Sequence, residues 1–209
     1  MALEQLKLRR VCASCNNEWM SRIENLVKPV LSELIRGQPR VINPPEHRLV
    51  AMWCQLKCIT IDALYGGHYE GIRHLPPEVA HTFCQRGQPL LNSVVRLGRF
   101  EPPKAGVMMR WGRHMGNVAT SHEHPPMNLV TVTMAIGFLV TQAVVGAWMP
   151  DNPSLKAEFP APPDWALPCW PLDSTVSYTW PPRLSITPET FDDLASTGTN
   201  THRFLPNPR

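Results

Sequence analysis

Charge is scarce in this chain: Asp, Glu, Lys and Arg make up 18% of its 209 residues, against an ordinary level of about 25%. The net charge is only +3, which excludes a surface built as a whole to hold phosphate; any nucleic-acid contact must come from a local concentration of cations. A signal-peptide pattern is also missing, because Met1 to Arg10 alternates charge with leucine. The longest apolar run, Leu129 to Trp148, is broken by Thr131, Thr133, Thr141 and Gln142 and by Gly137 and Gly146. That suits a buried β-hairpin rather than a membrane span, so a soluble cytoplasmic protein with no membrane partner is expected. No glycine-rich phosphate loop, serine-nucleophile elbow or paired-carboxylate motif occurs, and those enzyme classes have no support. No internal repeat is visible.

What the chain does have is 43% apolar residues, enough for one substantial core and one main domain at this length. Its 23 prolines are about twice average usage and bunch between Pro150 and Pro208, which predicts an irregular C-terminal third. Of its six cysteines, one pair has metal-ligand spacing. The others lie in apolar surroundings, as reduced core thiols do.

Trp19, Met20, Ile23, Leu26, Val27, Val30, Leu31, Leu34 and Ile35 recur at steps of three and four. This predicts a helix from near Asn17 to a stop at Gly37, kinked or split at Pro29. After a linker from Gln38 to Pro45, Glu46 to Leu64 reads as a second helix ended by Gly66-Gly67, with Leu49, Val50, Trp53, Leu56, Cys58, Ile61 and Leu64 mostly inward. Pro76-Pro77-Glu78 opens a short helix through Arg86, closed by Gly87. The pattern then turns to β-branched and aromatic stretches: Ser93 to Phe100, Gly106 to Gly112, Asn128 to Ile136, Phe138 to Ala147 and Ser174 to Trp180. Gly137 is read as the turn between two neighbouring strands. Pro188 to Leu194 reads as a helix capped by Thr187. The fold class expected is α+β, with a zinc knuckle and helices first, an antiparallel β-meander next and a proline-rich end.

Cys12-x-x-Cys15 is the spacing that lets two thiolates converge on one tetrahedral zinc from a tight turn. Lys7, Arg9 and Arg10 stand just before it and Arg22 and Lys28 follow, so this end is locally basic. The run Val11-Cys-Ala-Ser-Cys-Asn-Asn-Glu-Trp-Met-Ser-Arg-Ile-Glu24 resembles the C-x-x-C-N-N-x-W-M-S-x-L-E segment of HNH-endonuclease-like bacterial and phage proteins. Met52-Trp53, the strands near Gly137, and Trp170-Pro171 and Trp180-Pro181-Pro182 are similar, more loosely, to the downstream region of those proteins. The resemblance implies structural zinc on Cys12 and Cys15, with DNA as partner through Lys7, Arg9, Arg10 and Arg22. In an active member it also implies metal-dependent endonuclease chemistry with magnesium or manganese. The chain is expected to divide into a zinc-knuckle and helix module at 1–37, an α+β domain at 38–197 and a flexible tail at 198–209.

The family's other half, an upstream Cys-x-x-Cys and a Glu-His or Asp-His, does not precede Cys12. The chain is therefore expected to be the family's body without its beginning, and catalytically incomplete, since the reaction needs a histidine to deprotonate water. Asn16 takes a structural role in this reading. Glu46-His47 and His122-Glu123-His124 are the segments that could complete a site. Cys54 and Cys58, four apart on a helix, could clamp a metal or simply pack in the core. Trp19, Trp53, Trp170 and Trp180 could stack on bases or fill the core. The alternative to the zinc reading is a non-enzymatic interaction protein with an unmetallated cysteine pair.

Overall fold

The computed structural model describes residues 13–68, 74–116, 127–147, 165–172 and 175–197. The chain begins with α1 (Ala13–Cys15), passes through a π-helical stretch (Asn16–Met20) and continues as α2 (Ser21–Ile35). Ile23, Val27, Val30, Leu31 and Leu34 form the buried stripe of α2. Leu26, expected on that stripe, is 55% exposed instead. Pro29 does not split α2 into two elements. The carbonyl it leaves without an amide, that of Asn25, belongs to an exposed residue, so water can satisfy it. Gly37, at φ 70°, closes the helix with a Schellman pair: its amide donates to Leu34 and that of Gln38 to Glu33, both at 3.0 Å.

The expected linker hides a short strand, β1 (Arg40–Ile42), and α3 (Pro44–His68) runs past the two glycines that were expected to end it. From Val50 to Leu56 every residue of α3 is buried, so two of its turns lie inside the molecule rather than on its surface. α4 (Pro77–Arg86) starts on proline and ends at Gly87 in the left-handed region, as the sequence implies.

Two long antiparallel strands follow, β2 (Ser93–Gly116) and β3 (Met127–Gly146), paired from Ser93↔Val145 to Gly116↔Met127. The expected reversal at Gly137 does not occur. β3 continues through that residue, and the Pro102-Pro103 segment of β2 is taken up opposite it by register shifts between Arg99 and Val107. A bulge admits prolines because it asks for no ladder hydrogen bond. β4 (Leu167–Trp170) and the parallel β6 (Ser185–Ile186) share the other edge of β2, while β5 (Tyr178–Trp180) pairs with β1 in a separate two-stranded ribbon. α5 (Pro188–Thr197) is capped by Thr187 and packs Phe191 on Phe100. The architecture is α+β, with α2 and α3 laid on the β2–β3 hairpin and contributing to one continuous core. No helix among the described residues is long and apolar enough to cross a membrane.

Helix α2 meets the hairpin through two glycines. A Cβ on Gly137 would stand 2.3 Å from the Ile35 carbonyl oxygen, and one on Gly37 would stand 2.9 Å from the Phe138 ring. Gly87 has a similar positive φ but open space around it. Gly137→Ala should therefore cost roughly 3 kcal/mol, from left-handed strain plus displacement of α2, and Gly87→Ala about 1 kcal/mol from strain alone. Urea unfolding of the two variants measures the difference; equal losses would contradict the close approach.

Candidate functional site

Cys15 closes α1, half-buried, and packs with Trp19 against the core. Trp19 sets its ring edge-on to Phe83 of α4, centroids 5.8 Å apart, so it acts as an anchor of the helical run. Asn16, Asn17 and Arg22 face solvent, and the Asn16 amide donates to Asn17 Oδ1 at 3.4 Å. The middle of α3 is tied to α2 by an ion pair between Lys57 and Glu24. Cys12, Lys7, Arg9 and Arg10 lie outside the described residues, as do His122, Glu123 and His124. Among the described residues no three His, Cys, Asp or Glu side chains converge as a metal site.

Glu46-His47 falls in the first turn of α3, where neighbouring residues point about 100° apart. Glu46 turns outward into a capping box: its carboxylate accepts from the Asn43 amide at 3.0 Å, and its own amide donates back to Asn43 Oδ1 at 3.0 Å. It also pairs with Arg40, whose other side holds Glu33 at 2.7 Å. His47 turns inward, 1% exposed, with its ring edge-on to Tyr178 at 5.4 Å. Burial pushes its pKa below the ordinary value, against smaller opposing effects of the Ile42 carbonyl and Glu46. With the imidazole only 1% exposed, the Glu46-His47 candidate presents no solvent-facing base to a phosphodiester.

Beside this turn lies a cavity of about 310 Å³, lined by Pro44, His47, Arg48, Gln88, Pro89, Cys169, Trp170 and Leu172. The Trp170 indole nitrogen is already committed, donating to the Leu90 carbonyl at 2.7 Å.

Cys54 and Cys58 are fully buried on α3 and Cys169 on β4. Their thiols donate to backbone carbonyls where the geometry allows, Cys58 to Val130 at 3.5 Å and Cys169 to His47 at 3.3 Å. Burial pushes Cys54 up to about 12 and the other two well above the ordinary thiol range. They are neutral packing groups, and metal ligation needs thiolates. Trp53 and Trp180 are likewise core residues.

Sequence reasoning passed over a polar knot at Gln55. Its side chain is fully buried, donates to Ser93 Oγ at 2.7 Å and accepts from the Leu90 amide at 2.8 Å, while Ser93 Oγ donates to the Leu90 carbonyl at 2.6 Å. The readable signal was a lone glutamine in the otherwise apolar stretch Leu49 to Leu56.

Alkylation of the native protein at pH 8 should modify the exposed Cys84 and leave Cys54, Cys58 and Cys169 unmodified until denaturant is added. Mass mapping reads the order; early modification of any of those three would contradict the neutral buried state. Comparison of the chain with family models, with curated proteins and with solved structures yields no match.

Proposed function

We propose that this chain is an HNH-nuclease-like zinc-binding protein that contacts DNA and lacks a complete catalytic centre. The observation that carries the reading is the position of Cys15. It stands half-buried at the start of a helical run, within the C-x-x-C-N-N-x-W-M segment, whereas Cys54, Cys58 and Cys169 are sunk in the core. Thiols three apart at a helix start lie on one side of it, and the positive helix end favours their thiolates. The zinc would take its remaining ligands from outside the described residues. When bound, it would cross-link the chain where Trp19 is anchored on Phe83. Arg22, exposed on the same run, would join Lys7, Arg9 and Arg10 in holding DNA phosphate.

The reading extends to inactivity in strand cleavage, because the described histidine closest to the family's pattern, His47, is buried, 1% exposed. A hydrolytic HNH centre needs both an accessible imidazole and a magnesium or manganese ion.

Zinc content of the purified full chain is expected at one ion per chain, falling to near zero in Cys12→Ser and Cys15→Ser, with chelation lowering the melting temperature of the wild type only. Zinc-free wild type, or unchanged zinc in both variants, would favour the interaction-protein alternative. DNA affinity should fall with salt, and Arg22→Ala should lower the slope of log affinity against log salt by about one. A slope unchanged by that substitution would remove Arg22 from the contact, and plasmid nicking with magnesium or manganese would overturn the inactive assignment.

A further inference from the structure

His47 is a buried titratable group that the proposed function leaves unused. Neither ring nitrogen has a close hydrogen-bond partner among the described residues, and the nearby Ile42 carbonyl favours the protonated ring less than burial opposes it. The groups around it come from four elements. On α3 are Glu46, committed to Arg40 and the helix cap, and the exposed Arg48. On β1 are Arg40 and the Ile42 carbonyl, on β5 the Tyr178 ring, and on β4 the neutral Cys169 thiol, which binds the His47 carbonyl. Ile42 and Tyr178 are themselves register partners, so the imidazole touches the ribbon at its paired end. The His47 amide makes the first helical bond of α3, to Asn43 at 2.9 Å, which puts the ring at the positive end of the helix, where a cation is disfavoured.

We propose that His47 is an acid-sensitive latch: its neutral ring holds the first turn of α3 against the β1–β5 ribbon, and protonation releases that contact. Burial lowers the closed-state pKa below the ordinary 6.5, so the opened state binds the proton more tightly. The latch is held fully above pH 6.5 and weakens as pH falls below it. One proton is taken up on opening, so the opening constant rises by at most about tenfold per pH unit. The cavity shares this turn through Pro44, His47 and Arg48, and release loosens one of its walls.

The test is nuclear magnetic resonance of the full chain, labelled at histidine nitrogen and at backbone amides, titrated from pH 8 to 5. The His47 ring, assigned by its loss in His47→Phe, is expected to titrate below 6.5, with amides of 40–48 and 178–180 changing in step. In His47→Phe those amides should not respond to pH. A ring that titrates at 6.5 or above, amide changes that persist in the variant, or changes spread over the whole β2–β3 hairpin would each overturn the latch. Should His47→Phe not fold, His47→Gln gives the same assignment, and the wild-type ring titration decides by itself.

Discussion

Helix α3 is buried on every side for two turns, and the rest of the fold is arranged around that constraint. A helix in this position needs apolar cover all round, and it receives α2 on one side, the β2–β3 hairpin on another and β4 on a third. It also leaves no solvent for a polar side chain. Gln55 is therefore tolerated only because its amide is satisfied at both ends by Ser93 and Leu90. An unmade bond there would cost about 1–3 kcal/mol, and the made one fixes the axial position of α3 against the start of β2. Leu90 in turn accepts from Trp170, so the same point registers β4.

From this centre the functional reading follows outward. α2 is locked between α3, through Lys57 and Glu24, and β3, through the facing glycines at 37 and 137. The helical end that carries Cys15 and Arg22 is thus a continuation of a rigid element, braced by Trp19 on Phe83. A ligand pair mounted there would be preorganised, and so would a cation aimed at a phosphate. At the start of α3, the capping box of Asn43 and Glu46 turns His47 inward. The same burial that withdraws the imidazole from solvent is what the proposed proton latch depends on.

Much of the helical half was legible because its signals are local. Pro77 and Gly87 bracket α4, Gly37 closes α2, and Thr187 caps α5, each by a backbone requirement that its own residue type satisfies. The strands were placed but wrongly divided. Pro102, Pro103, Gly106 and Gly137 read as breaks along the chain, yet across the strands they fall at one bulge, and register is a property of two segments that neither shows alone. β1 has three residues, too few for a period. The candidate site was half legible: the Cys-x-x-Cys motif stands out, whereas the opposite fates of Glu46 and His47 depend on helical phase. The N-cap pattern Asn43-x-x-Glu46 was the clue that would have revealed that phase.

The claim that α3 is seated by one buried polar contact is tested most directly by a double-mutant cycle on Gln55→Ala and Ser93→Ala, read by urea unfolding. A coupling energy of about 1 kcal/mol or more is predicted for side chains that satisfy each other in the core. Losses that simply add would contradict it.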